Sequence, residues 1–210
     1  WGEGGHNGRH AASLFPDAIK WLWQGWPAPV ASAGPTKNTV LASVLIPGED
    51  WQLVSEGHRL SEGAAPNAQG EVYFTDIPNS RAYRISLDGR VSPAREDTHR
   101  ANGQAFGPDG RLYVVEGGAQ RVMAYAADGR GAVIAEGFAG NDVVVARNGN
   151  VYVTHPPAGA SNEPSKVWLV RPDGSKQVVD TGLRFANGVT LSPDQTLLYV
   201  ADYRSHWVYS

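Results

Sequence analysis

The chain has 210 residues, with 18 Lys+Arg against 21 Asp+Glu and a formal net charge of −3, which excludes a surface built for polyanions, since those need clustered positive charge. Cysteine is absent, so disulfides, thiolate metal sites and a cysteine nucleophile are excluded. An apolar share of 41% suffices for a core, no apolar run reaches membrane-spanning length, and 25 Gly with 14 Pro favour short strands and turns over long helices.

Taken in chain order, residues 11–26 read as a helix. Leu14, Ile19, Leu22 and Trp23 form an apolar stripe, Pro16 falls near the first turn, and Trp26-Pro27-Ala28-Pro29 ends it. Small, turn-rich residues follow at 31–36. These features divide the chain into a helix-ended piece at 1–30, a linker at 31–40 and a second unit at 41–210. The start at Trp1 and the strand-like ending His206-Trp207-Val208-Tyr209-Ser210 lead us to expect part of a longer polypeptide.

From residue 62 the chain repeats itself. Glu62-Gly63, Asn102-Gly103, Asn141-Asp142 and Asn187-Gly188 recur at intervals of 40, 39 and 46 residues. Each is followed by a turn and a second apolar strand: Val72-Tyr73-Phe74-Thr75-Asp76, Leu112-Tyr113-Val114-Val115-Glu116, Val151-Tyr152-Val153-Thr154-His155 and Leu198-Tyr199-Val200-Ala201-Asp202. Third strands are predicted at 81–86, 121–126 and 166–171, and fourth strands at 132–136 and 177–180. Four short strands in about 40 residues, with Asp-Gly and Asn-Gly turns, predict the blades of an all-β propeller. A stacked β-sandwich is the alternative. Residues 62–210 hold about three and a half such units, so closure of the propeller is expected from sequence beyond Ser210.

In a propeller blade the residues just before the first strand lie at one mouth of the central channel. Glu62, Asn102, Asn141 and Asn187 share that phase and are expected to converge there. One carboxylate with several amide oxygens is a hard-oxygen set, suited to Ca²⁺ first, then Mg²⁺ or Mn²⁺, with Zn²⁺ not separated from them. The plainer reading is that Asn-Gly only shapes a turn. Asp76, Glu116, His155 and Asp202 end the second strands at the same mouth, as a second polar ring or as ordinary loop residues. Glu116 is the member read as a substrate contact. The insertion at 156–164 is expected to form part of a lid, and Tyr73, Phe74, Tyr113, Tyr152 and Tyr199 to pack in the core.

These stretches, with Phe74-Thr75-Asp76, Arg100-Ala101-Asn102-Gly103 and Gly140-Asn141-Asp142-Val143, resemble the gluconolactonase/regucalcin-like (senescence-marker-like) lactonase family over about residues 60–210. The resemblance implies a six-bladed propeller that hydrolyses lactones or related sugar-derived esters with one divalent cation in the channel. It makes Glu62 and Asn187 metal ligands and Asn141 the Asn that binds metal or substrate, taken here with the metal set, and it matches Asn102 to a channel-mouth Asn common among the bacterial members, taken here as a substrate contact. It also implies an Asp at the start of blade five, beyond Ser210, as a further ligand and general base. The substrate-binding Arg that the family carries two residues before the blade-three Asn is Ala139 here. A second, shorter resemblance links Gly4-Gly5-His6-Asn7 and the helix after it to the C-terminal end of enterochelin-esterase-like α/β hydrolases. There His6 would be a triad base whose partners lie upstream. The alternative function is a non-catalytic propeller that binds a ligand or carbohydrate beside an attached esterase. Neither nucleic acid nor membrane is an expected partner.

Overall fold

The computed structural model describes residues 53–159 and 161–210. The predicted helix at 11–26, the linker and His6 lie outside the described residues. Within them the chain is all-β apart from one 3₁₀ turn at Gly117–Ala119.

Four antiparallel sheets follow one another in chain order, each with its strands in sequence order. Blade one holds β1 (Ser61–Pro66), β2 (Val72–Asp76), β3 (Arg81–Ile85) and β4 (Val91–Arg95). Blade two holds β5 (Ala101–Phe106), β6 (Leu112–Glu116), β7 (Arg121–Tyr125) and β8 (Gly131–Glu136). Blade three holds β9 (Val143–Val145), β10 (Val151–His155), β11 (Lys166–Val170) and β12 (Lys176–Asp180). Blade four contributes β13 (Ala186–Leu191), β14 (Leu198–Asp202) and β15 (Trp207–Tyr209). The arrangement is propeller-like, with four blades among the described residues, and it replaces the sandwich alternative. The predicted third and fourth strands fall within a residue of their observed bounds. Strand β4 was not predicted, because Pro93 interrupts a polar stretch; proline is tolerated there because β4 is an edge strand.

The turns explain the hairpins. Gly110, Gly129, Gly149 and Gly174 all have φ near +80°, a region that costs glycine nothing. The residue before each glycine, Asp109, Asp128, Asn148 or Asp173, accepts the backbone N–H two residues on through its side-chain oxygen, at 2.9–3.1 Å. Blade four keeps the conformation without glycine: Gln195 has φ +61°, and its side-chain oxygen accepts the backbone N–H of Arg147 at 2.8 Å. That bond ties the lower turns of blades three and four together.

Alternating residues of each second strand face opposite neighbours, so both faces are buried. Val115, Val122, Phe138, Val143 and Val153 fill the space between blades two and three. Val167, Leu183, Ala186, Val189 and Val200 fill that between blades three and four. Of the aromatics assigned to the core, Phe74 and Tyr113 are buried, whereas Tyr73, Tyr152 and Tyr199 are half-buried.

The inner strands are stitched to one another near their starts. Thr75 Oγ1 donates between the Glu62 and Asn102 carbonyls, at 3.1 and 3.0 Å. Gly103 N–H donates to the Asn141 carbonyl at 2.8 Å. Thr154 Oγ1 donates to the Asn187 carbonyl at 2.5 Å. Apart from the bond to Glu62, which stays within blade one, each crosses from one blade to the next, so the backbones of the four candidate site residues are fixed relative to one another.

Candidate functional site

The inner strands β1, β5, β9 and β13 line one cleft of about 480 Å³. Glu62, Asn102, Asn141 and Asn187 all lie on it, as does Asp142. Three of the starting strands carry a bulge at this level, between Glu62 and Ala65, Ala101 and Gln104, and Ala186 and Val189. A bulge puts an extra residue on one strand and re-aims its side chains. Asn141 alone precedes its strand as expected, since β9 begins at Val143, whereas Glu62, Asn102 and Asn187 lie inside theirs, second in β1, β5 and β13.

The side-chain amides of Asn102, Asn141 and Asn187 and the Glu62 carboxylate have no hydrogen-bond partner among the described residues. Turn-shaping Asn side chains normally bond their own backbone nearby, as Asn67 and Asn148 do here. The three channel amides leave their oxygens open instead.

Asp142 is the residue that the sequence reading passed over. It stands in blade three where blades one, two and four carry Gly63, Gly103 and Gly188. Its backbone N–H donates to Thr154 Oγ1 at 3.0 Å, and its Oδ2 accepts the Val189 N–H of the next blade at 2.9 Å. Burial pushes its carboxyl pKa above the usual 3.8 and the nearby Glu62 charge adds to that, against hydrogen bonds from Val189 and Val143 that pull it down. The signal available in the sequence was the exception itself, an Asp at the one repeat position otherwise held by glycine.

Two carboxylates on one cleft, one of them desolvated, repel each other and favour a bound cation. Among the described residues no three of His, Cys, Asp or Glu come together. The donor set is therefore weighted toward amide oxygens, which fits a hard divalent cation such as Ca²⁺.

The second ring does not line this cleft. Glu116 is 1% exposed and faces the seam between blades one and two. Arg121 pairs with its Oε2 at 2.7 Å, and the Tyr125 hydroxyl donates to Oε1. Expected as a substrate contact, Glu116 is a buried ion-pair partner here, its side chain drawn sideways by an arginine and a tyrosine on the next strand. His155 Nδ1 accepts the Trp168 indole N–H at 3.3 Å and its ring packs near Phe138. Asp76 accepts the N–H groups of Arg59 and Leu60 and the Asn79 amide. Asp202 accepts those of Arg184, Phe185, Arg204 and Ser205, at 2.8–3.3 Å. These aspartates tie the lead-in to a first strand to the end of the second. In the expected lid, the carbonyls of Gly159 and Ser161 accept the Arg204 guanidinium at 3.2 and 2.9 Å.

Burial pushes the Asp202 carboxyl up, but its four backbone donors outweigh this and hold it below 3.8. A carboxyl whose pKa falls on folding stabilises the fold above its unfolded value, and the contribution is lost as pH falls through the lower folded value. Asp202→Asn is accordingly expected to have a lower urea midpoint than the parent at pH 7. The gap should narrow below about pH 3.8. A gap that stays constant down to pH 2 would show that the charge of Asp202 contributes nothing.

The sequence profile described as the SMP-30/Gluconolactonase/LRE-like region matches residues 60–210. A gluconolactonase of Zymomonas mobilis is 32% identical over 130 residues, covering 52% of this chain and 36% of its own. The solved structure of XC5397 from Xanthomonas campestris, described as a gluconolactonase of glucose secondary metabolism, superposes with a TM-score of 0.64. It is 28% identical, over 71% of this chain and 56% of that one. The calcium-binding protein regucalcin of Agrobacterium tumefaciens shares the fold at a TM-score of 0.59. It is 18% identical, over 69% of this chain and 51% of that one. The chain thus spans about a third of the curated relative's length and little more than half of these solved ones. The profile begins at residue 60, and the esterase resemblance of the N-terminal residues gains no support.

Proposed function

Because the chain belongs to the SMP-30/gluconolactonase/LRE-like family, we propose that it forms the channel-mouth side of a divalent-metal-dependent lactonase, within a six-bladed propeller. The observation that carries this reading is the convergence of Glu62, Asn102, Asn141 and Asn187 on one cleft with their side chains unengaged.

Glu62, Asn141 and Asn187 hold the cation through one carboxylate and two amide oxygens. When bound, the cation supplies polarisation of the lactone carbonyl and stabilisation of the oxyanion that develops on it. Asn102 keeps both a donor and an acceptor free, and it orients the ring or hydroxyl oxygens of a sugar-derived lactone. Asp142 bonds across to Val189, two residues beyond Asn187, and keeps two of the ligand-bearing strands at a fixed spacing. The carboxylate that activates water is proposed to be the Asp that family members carry at the start of the fifth blade.

The test is hydrolysis of a panel of aldonolactones by the full-length protein, followed by proton release. EDTA is expected to bring the rate to background, and Ca²⁺ or another divalent ion to restore it. A rate indifferent to EDTA would remove the metal from the proposal. No turnover on any lactone by metal-loaded protein would remove the lactonase itself.

A further inference from the structure

The side chain of Gln104 is out of keeping with its surroundings. It is 5% exposed, and neither its Oε1 nor its Nε2 has a hydrogen-bond partner among the described residues. Its cross-strand neighbour is Val114, and the corresponding pairs in blades three and four are Val143 with Val153 and Val189 with Val200. Those valines pack into the apolar clusters between blades. A carboxamide therefore stands where two other blades place valine.

What differs is the seam it faces. Between blades one and two lies a cavity of about 50 Å³, lined by Tyr73, Arg95, Thr98, Gln104, Leu112 and Glu116. A polar side chain buried without a partner is costly, and a cavity needs only about 10–15 Å³ of such volume to hold one water. The Glu116 charge at the seam is already compensated. Arg121 pairs with Glu116, and the Arg95 guanidinium lies 3.2 Å over the Tyr125 ring. An anion would meet the Glu116 carboxylate and a cation the Arg95 guanidinium, while an apolar occupant would leave the amide unpaired.

We infer that this cavity is a built-in water site: one to about three water molecules bind Gln104 and bridge it to Thr98 and Glu116. Thr98 Oγ1 accepts only a long bond, 3.4 Å, from Ala101 N–H, so its own proton is available. Glu116 retains lone pairs beyond those taken by Arg121 and Tyr125. The water thus completes the hydrogen bonding of the seam beside the strand that carries Asn102. The inference does not depend on the proposed lactonase activity.

A high-resolution crystal structure of the full-length protein tests it directly. The expected result is ordered water within about 3.2 Å of Gln104 Oε1 or Nε2 and in reach of a second polar group of the cavity. A dry cavity, an ion in its place, or Gln104 bonded directly to Glu116 or Thr98 would overturn the inference. Oxygen-17 relaxation dispersion in solution gives a second readout. Gln104→Val is expected to remove at least one long-lived buried water while remaining folded, and an unchanged count would also overturn it. If the variant does not fold, the crystal structure of the parent decides alone.

Discussion

Glu62→Gln is expected to abolish lactone hydrolysis, lowering kcat at least about 100-fold with the fold unchanged. Glu62 is exposed on the cleft and its carboxylate bonds to no described residue, so the nearly isosteric change leaves no hydrogen bond of the fold unmade. What it removes is the only unengaged carboxylate of the proposed cation set. A neutral amide in its place leaves three amide oxygens, a weak set for a divalent ion that prefers charged ligands. Calorimetry should show a weaker affinity for Ca²⁺ in step with the lost rate. Circular dichroism and the urea midpoint should match the parent within error. The same variant separates the lactonase from a propeller that only binds its ligand: lost turnover with intact binding of an unreactive lactone analogue assigns Glu62 to chemistry. A variant with parental kcat would sink the metal site as drawn.

Gly103→Ala is expected to destabilise the propeller by about 3 kcal/mol. A Cβ built on Gly103 would lie 2.5 Å from Asp142 Cα and 2.9 Å from the Asn141 carbonyl oxygen, and closer still to Asp142 Oδ1. Two of these contacts are backbone atoms held by hydrogen bonds, from Gly103 to Asn141 across the two blades and from Asn141 to the Thr154 carbonyl within blade three. Neither can move aside without opening the seam between blades two and three. Gly188 occupies the same place in the repeat, yet its nearest neighbours would be 3.8 and 3.9 Å from an added Cβ. Gly188→Ala is therefore the control, with an expected change within about 0.5 kcal/mol. The comparison is read from urea midpoints at constant slope. Equal midpoints for the two variants would mean that the seam relaxes freely around the added methyl group.

The strand pattern of this protein is set by its local sequence. Alternating apolar residues in β2, β6, β10 and β14 and the turns before them, Asp109-Gly110 and Asn148-Gly149 most plainly, specify hairpins through short-range geometry alone. The recurrence of Glu62, Asn102, Asn141 and Asn187 at one phase of that repeat places them at one level of four successive inner strands, because a repeated unit repeats its geometry. Strand β4 escaped the pattern because its pairing comes from β3 and not from its own composition, which includes Pro93.

Side-chain direction was decided only by contacts between blades. Nothing local distinguishes Glu116 from Asp76 or Asp202 as the last residue of a second strand. Its longer side chain meets Arg121 and Tyr125, and so it serves the seam and not the channel. Asp142 and Gln104 are likewise defined by residues far along the chain, Val189 for one and the blade-one wall, with Tyr73 and Arg95, for the other. Their roles depend on which blade packs against which, and that is fixed by packing of the whole repeat and by no neighbouring stretch of sequence.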